Sequence, residues 1–426
     1  MKIHIKNGRL IDPKNNIDAK QDLYIAAGKI VGIGQAPADF TANQTIDAKN
    51  LIVCPGLVDL SARLREPGFE YKATLESELQ AAAAGGVTSL ACPPDTDPTL
   101  DEPGLVEMLK HRAKQLNLAH VYPLGALTTQ LAGKELTEMC ELKEAGCVGF
   151  AQADSAITDT QVLWRAMQYA ATFNFTVWLR PEEPYLAKGG VAHDGEIAAR
   201  LGLKGIPSAA ETLAIASILR IAKETGARVH LCRLSTAEGV DMVRQAKQQG
   251  LHVSCDVSAA HLHLTEHDIG FFNAHCHLKP PVRTQRDQTG LISGLKDGTI
   301  NAICSDHTPV DDDAKLLPFA EAEIGASGLE LLLPLALKWA NENSASISQA
   351  IAYLTHFPAD ILGVNRGHLS LGADADVCVF DPEQYWAIEP KALRSQGKNS
   401  PFLGLELAGK VHYTFMNGHL VYQLHH

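Results

Sequence analysis

The sequence predicts an α/β protein, a (β/α)8 TIM-type barrel with a small β-sandwich domain built from both termini. Apolar runs of strand length alternate with helical stretches through the middle of the chain, which is typical of a parallel sheet covered by helices. The two ends share a different pattern of short strands and tight turns. The length of 426 residues exceeds what one ordinary core uses, and 46% hydrophobic against 20% charged residues excludes a disordered chain.

Eight central runs have the length and apolar character of buried strands. They are Val53–Leu60, Thr88–Cys92, Val121–Ala126, Val148–Gln152, Thr176–Leu179, Arg228–Leu234, His252–Val257 and Ile300–Cys304. The segments Thr74–Ala84 and Ser208–Thr225 are clear helices between them, and glycines follow both, as helix C-termini favour. A doubly wound open sheet is the alternative, but Pro55-Gly56 is not the glycine-rich phosphate turn that such a sheet usually carries.

The terminal strands predict one small β domain to which both ends contribute. The candidates are Lys2–Ile5, Asp22–Ile25 and Ile30–Ile33 at the start, and Ala375–Phe380, Lys410–Met416 and Leu420–Tyr422 at the end. We therefore predict that residues 1–54 and 365–426 form the β domain and residues 55–364 the barrel.

The net charge limits the kinds of partner that the chain can bind, and the cysteines indicate its compartment. The 37 basic and 49 acidic residues give a net charge of −12, which repels nucleic acid and anionic lipid, so we expect neither as a partner. No apolar run approaches the roughly 20 residues of a membrane span, and we read no signal peptide. Nine scattered cysteines are typical of reduced thiols, so we expect a cytoplasmic protein.

A motif after the first predicted barrel strand carries a family resemblance. Residues 55–68 read PGLVDLSARLREPG and resemble the PGxxDxHxHxREPG signature of dihydroorotases in the amidohydrolase superfamily. Further matching segments are PDTDP (94–98), GFA (149–151), RPEE (180–183), HLCRLST (230–236), PPVR (280–283), SDHTP (305–309) and GADAD (372–376). The resemblance therefore covers essentially the whole chain.

The same alignment shows the family's metal ligands replaced. In relatives, zinc is held by two histidines, a carboxylated lysine, two more histidines and an aspartate. Those places are occupied here by Ser61, Arg63, Ala151, Arg180, Arg233 and Asp306. Zinc needs three or four His, Cys, Asp or Glu ligands, and a guanidinium has no lone pair to offer. We therefore expect no zinc and no catalytic residue, with Asp306 retained at the position of the family's base.

The family's substrate positions are vestigial. Arg65 stands at the arginine that grips the substrate carboxylate in relatives, and either keeps an anion-binding role or pairs with Glu66 or Asp95. Asp95 replaces an asparagine, and its charge would repel that carboxylate. His307 keeps a family histidine, which we interpret as packed or hydrogen-bonded.

Three arginines at former ligand positions predict a replacement of charge. If Arg63, Arg180 and Arg233 point inward, they need carboxylate partners, of which Asp306 is the first candidate, followed by Asp95 and Glu182. Strand alternation that turns Arg233 inward would turn His230 and Cys232 outward, which favours a core role for them over an improvised metal site.

The resemblance implies a protein without catalysis. Some relatives of this description resemble a non-catalytic chain that assembles with the aspartate carbamoyltransferase catalytic chain in pyrimidine biosynthesis, so we expect that partner and an oligomer. A zinc-dependent dihydroorotase, or a related cyclic amidohydrolase, with an unusual metal site is the enzyme alternative. A third hypothesis is a sensor whose arginine-rich pocket binds a small anion.

Overall fold

The computed structural model describes residues 1–424, and its first strands belong to the β domain. These strands are β1 (Lys2–Lys6), β2 (Arg9–Asp12), β3 (Ile17–Lys20), β4 (Leu23–Ala26), β5 (Lys29–Ile33), β6 (Gln44–Asp47) and β7 (Ile52–Pro55). Strand β1 alternates buried and half-buried residues, the pattern of a sheet with one face on a core.

Eight parallel strands then form the barrel. They are β8 (Leu57–Asp59), β9 (Val87–Cys92), β10 (His120–Ala126), β11 (Gly149–Ala151) and β12 (Thr176–Leu179), and, after the short pair β13 (Ala192–His193) and β14 (Gly205–Ile206), β15 (Arg228–Leu231), β16 (Val253–Ser258) and β17 (Ala302–Cys304). Neighbours follow chain order from β8 to β17. A parallel bridge between Ala62 and His307 joins the first and last strands just beyond their ends.

Helices cover the outside of the barrel. They are α1 (Leu75–Ala84), α2 (Pro103–Leu116), α3 (Met139–Ala145), α4 (Thr160–Thr172), α5 (Pro184–Ala187), α6 (Glu196–Leu201), α7 (Ser208–Thr225), α8 (Ala237–Gln248), α9 (Gln285–Lys296), α10 (Leu332–Glu342), α11 (Ile347–Leu354) and α12 (His356–Leu362). The predicted helices appear as α1 and α7. Helix α1 begins at a capping box in which the Thr74 hydroxyl accepts from the Ser77 amide at 3.2 Å.

The C-terminal strands return to the β domain. They are β18 (Val377–Ala387), β19 (Glu406–Met416) and β20 (His419–Gln423). One sheet has the order β20-β19-β18-β7-β2-β3 and the other β5-β4-β1-β6, so both termini build the domain. Residues from both sheets, including Ile5, Leu10, Val377 and Phe415, share one buried core. The predicted fold class is confirmed.

One predicted strand divides between two domains. The sequence predicts Val53–Leu60 as a single barrel strand, but β7 pairs with β18 in the β domain and β8 pairs with β9 in the barrel. The change of sheet occurs at Gly56, where a Cβ atom would lie 2.1 Å from the Thr88 hydroxyl oxygen. The absence of a side chain lets the backbone pass this point, a requirement that hydrophobicity does not reveal.

Among residues 1–424, every helix is too short or too polar to cross a bilayer.

Candidate functional site

The three arginines and Asp306 lie together at the carboxyl ends of the barrel strands. Arg63 follows β8, Arg180 follows β12 directly, and Arg233 and Asp306 each lie two residues beyond their strands. The side chain of Arg63 is 6% exposed, that of Arg180 3% and that of Arg233 5%. All three arginines therefore point into the mouth of the barrel and away from bulk water.

Asp154, in the loop after β11, lies at the centre of the cluster. Its Oδ1 atom accepts hydrogen bonds from Nε of Arg180 and from Nη2 of Arg233, both at 2.6 Å. Its Oδ2 atom accepts from Nη2 of Arg63 at 2.7 Å. One carboxylate thus bridges three guanidiniums that come from three different strands.

Each arginine has a second acidic partner. Nε of Arg63 donates to Asp95 at 2.8 Å, and its Nη1 donates to the Thr308 hydroxyl at 3.0 Å. Nη1 of Arg233 donates to Asp306 at 2.8 Å. The Arg180–Glu182 pair is bidentate, with both N···O distances at 2.8 Å. Charged, partly bidentate hydrogen bonds of this kind are strong and fix geometry.

The formal charges of the side chains in this cluster sum to zero. Lys279 lies 3.4 Å from Glu182 and brings the cations to four. The four carboxylates are Asp95, Asp154, Glu182 and Asp306. Burial of these charges is tolerated because each faces an opposite one.

The pKa values of the two aspartates that contact Arg233 are shifted in opposite directions. Burial opposes ionisation of Asp154, but Arg233, Arg63 and Arg180 hold its pKa well below the ordinary value. Burial raises the pKa of Asp306, and the attraction of Arg233 and Arg63 does not fully offset it. The difference follows from the number of cations each carboxylate contacts.

Local backbone geometry helps to aim these side chains. Arg233 has φ of 56° and Asp306 has φ of 50°, left-handed values that are uncommon outside glycine. The Arg233 amide is held by a 2.6 Å hydrogen bond to Oδ1 of Asp256 on β16. The surrounding structure therefore stabilises a strained backbone at the cluster.

The ion cluster borders a small cavity that all three arginines line. The cavity beside it, lined by Leu60, Ala151, Trp178 and Arg233 among others, has a volume of about 20 Å³. That volume is near the minimum for one water molecule, whereas sites for small-molecule ligands usually enclose several hundred Å³.

The residues present do not fit a zinc centre. At the family's ligand positions, Ser61, Arg63, Ala151, Arg180 and Arg233 offer no strong donor, which leaves Asp306. The neighbouring carboxylates are engaged by guanidiniums, and three guanidiniums would repel a dication.

The expected outward orientation of His230 and Cys232 is wrong. His230 packs inside the barrel against Trp178, with ring centroids 4.2 Å apart, and Cys232 lines the small cavity. Strand β15 ends at Leu231, and the positive φ of Arg233 breaks the alternation on which the expectation depended.

His230 and Cys232 lie close to Asp256, with possible ligand atoms within 4.8 Å of one another. However, Nε2 of His230 already contacts Asp256 at 2.9 Å, and its Nδ1 contacts Ser254 at 2.8 Å. Burial also raises the pKa of the Cys232 thiol well above its usual value. The arrangement is that of a satisfied polar pair in the barrel core.

The substrate positions of the family have taken structural contacts. Nε of Arg65 donates to the Pro309 carbonyl at 2.8 Å and its guanidinium lies over the Phe69 ring, so it pairs with neither expected carboxylate. Asp95 pairs with Arg63 instead. His307 is fully buried: its Nε2 contacts Glu78 at 2.5 Å, and its Nδ1 accepts from the Gly328 amide at 3.0 Å.

Sequence reasoning missed the central residue of the cluster. Asp154 lies three residues after Ala151, outside the matching GFA segment. The available signal was a carboxylate close behind a strand end, where side chains converge in a barrel of this type. Asp306, the expected first partner, contacts Arg233 at 2.8 Å and Arg63 at a longer 3.6 Å.

The barrel with an attached β domain defines the hydantoinase type of amidohydrolase fold. The L-hydantoinase (dihydropyrimidinase) from Arthrobacter aurescens superposes with a TM-score of 0.88 at 25% identity, over 99% of this chain and 96% of that one. The family model "Dihydro-orotase-like" matches residues 50–239.

Sequence relatives agree with this assignment. A "Dihydroorotase-like protein" from Pseudomonas aeruginosa is 44% identical over 423 residues, covering 99% of this chain and all of the relative. A "Dihydroorotase" from Geobacter sp. is 40% identical, also over 99% of this chain and all of the relative. The chain belongs to the dihydroorotase-like family.

Proposed function

We propose that this chain is a catalytically inactive dihydroorotase-like protein that serves as a structural subunit. Its partner in this proposal is the catalytic chain of aspartate carbamoyltransferase, so the complex would act in pyrimidine biosynthesis. The observation that carries the loss of catalysis is the bridging of Arg63, Arg180 and Arg233 by Asp154 at the family's metal position.

The chemistry of the family supports this proposal. Hydrolysis of a ring amide requires a strong nucleophile, which a metal-bound hydroxide supplies in relatives. The guanidiniums cannot generate one, and Asp306 is paired to Arg233. A general base alone contributes about 10²- to 10⁴-fold, well short of the acceleration that enzymes usually reach.

Retention of the fold supports a structural role. The barrel and β domain align over nearly their whole length with the hydantoinase. An assembly subunit needs an intact fold and a surface, and it needs no open active site.

Relatives that carry the name "Dihydroorotase" favour the enzyme alternative, a working zinc-dependent hydrolase. The residues of this chain oppose it, because a balanced ion cluster lies at the family's metal position and the cavity that its three arginines line has a volume of about 20 Å³. The same observations oppose an anion sensor, since the three arginines are already paired with carboxylates.

The test of the proposed function is a reconstitution. The purified chain is mixed with the purified aspartate carbamoyltransferase catalytic chain from the same organism, and light scattering after size exclusion measures the mass of the complex. We expect a complex of defined stoichiometry. Two separate peaks at micromolar concentrations of both chains would contradict the structural role.

A further inference from the structure

Two long loops on the mouth side of the barrel are fixed to each other by Lys315. One loop, residues 266–277, follows β16, and the other, residues 311–325, follows β17. Nζ of Lys315 donates to the Ala274 carbonyl at 3.0 Å, which joins the two loops, and to the Glu323 carbonyl of its own loop at 2.5 Å. The Gly325 amide donates to the His277 carbonyl at 3.0 Å and adds a second connection. Hydrogen bonds therefore connect the two loops at their base.

Both of the joined loops expose apolar side chains. Phe271 is 91% exposed and Leu316 is 80% exposed, and Phe272 and Leu317 beside them are also exposed. Single exposed apolar residues are ordinary, but a group of them on adjoining loops is typical of an interaction surface. Aromatic side chains are frequent among the residues that dominate binding energy.

The second of these loops, residues 311–325, is also acidic. Asp311, Asp312, Asp313 and Glu321 are exposed, whereas Lys315, the one basic residue of segment 311–325, is buried. We name the platform as Phe271, Phe272, Leu316 and Leu317 together with these four exposed carboxylates. A complementary surface must offer an apolar depression bordered by lysine or arginine.

Charge argues against a second copy as the occupant. Packing the platform of one copy against the platform of another would bring eight carboxylates together, and like charges across an interface disfavour association. The net charge of −12 adds to this repulsion. A different protein with a basic and apolar face fits the platform better.

We propose that the platform is the surface by which this chain docks onto its partner protein. This inference rests on the proposed function, in which the partner is the aspartate carbamoyltransferase catalytic chain. A partner seated there covers the mouth side of the barrel, where the ion cluster lies at the family's metal position.

The test compares matched variants in the full chain. Phe271→Ser/Leu316→Ser removes the two most exposed apolar side chains of the platform. Tyr385→Ser/Leu371→Ser is the control, because these residues are 68% and 69% exposed and lie outside both loops. Binding of each variant to the purified aspartate carbamoyltransferase catalytic chain is measured by calorimetry, and a thermal melt checks that each variant is folded.

We expect the platform variant to bind about tenfold more weakly or worse, and the control to bind within about twofold of the wild type. Asp311→Asn/Asp312→Asn/Asp313→Asn should slow association and reduce its dependence on salt. Glu141→Gln/Glu144→Gln, on the exposed surface of α3, is the charge control and should do neither.

The outcomes separate the two proposals. If the wild-type chain does not bind the transferase chain, the proposed function fails. If the wild type binds and the folded platform variant binds equally well, the docking inference is overturned and the proposed function stands. If the platform variant instead changes the self-association of this chain measured alone, the platform belongs to a second copy, and the inference is likewise overturned.

Discussion

The Asp154 carboxylate accepts a 2.6 Å hydrogen bond from Nη2 of Arg233, a residue 79 positions further along the chain. The two side chains come from loops after β11 and β15, and Arg63 and Arg180 bind the same carboxylate. The family resemblance implies that relatives carry a metal-bridging carboxylated lysine after the fourth barrel strand. Here a carboxylate after the same strand bridges guanidiniums, so the arrangement of an anion among cations is kept while the cations are arginines.

Replacing Asp154 should destabilise the fold more than any other single change in the cluster. Asp154→Ala leaves three buried guanidiniums without their shared counter-ion, and we expect a loss of about 5 kcal/mol of unfolding free energy, measured by urea denaturation. Asp18→Ala, which removes the exposed ion pair with Arg9, is the control and should cost under about 1 kcal/mol. Equal losses in the two variants would show that the cluster is not a buried network.

Asp306→Ala should have a smaller effect, about 3 kcal/mol. Its carboxylate lies 2.8 Å from Arg233 but 3.6 Å from Arg63, and Arg233 keeps Asp154 as a partner when Asp306 is removed. The measurement is the same denaturation experiment. An unfolding free energy unchanged by the substitution would show that Asp306 does not stabilise the cluster.

The contribution of Asp154 should depend on pH in a defined direction. Its folded-state pKa is depressed, so its stabilisation is present above the ordinary value of 3.8 and is lost as pH falls through the folded value. The gap in unfolding free energy between wild type and Asp154→Asn should therefore stay constant from about pH 7 to about pH 5 and narrow only below about pH 3.8. A gap that already narrows near pH 6 would mean that the carboxylate is not held ionised by the arginines.

Purified protein should hold no stoichiometric zinc at the barrel mouth, because the donor set offers one ligand where three or four are needed. Elemental analysis after a chelator wash measures the zinc content. Asp306→Asn provides the control: trace metal on surface histidines should be equal in the variant and the wild type. One zinc ion per chain that disappears in Asp306→Asn would contradict the loss of the metal site.

Much of this architecture could be predicted from the sequence, because apolar runs and terminal turns report directly on burial and chain reversal. Ser208–Thr225 was predicted with the bounds that α7 shows. The division of Val53–Leu60 between β7 and β8 depends on a steric contact of Gly56 with Thr88, residues that meet only in three dimensions.

The residues of the candidate site, too, could be predicted only in part from the sequence. The alignment identified the three arginines, because each replaces a residue with a defined family role. Asp154 has no such role, so the alignment gave no reason to choose it. The inward orientation of Cys232 depends on where β15 ends and on the positive φ of Arg233, neither of which strand alternation encodes.

The most direct test of the central claim is the turnover of dihydroorotate and carbamoyl aspartate by the purified chain. The chain is produced in a host strain that lacks its own dihydroorotase and is assayed with added zinc. With the ion cluster at the family's metal position and no metal-bound hydroxide available, we predict a rate indistinguishable from that of a mock purification. A reproducible rate on the order of 1 per second or more, which is ordinary for an enzyme, would contradict the account.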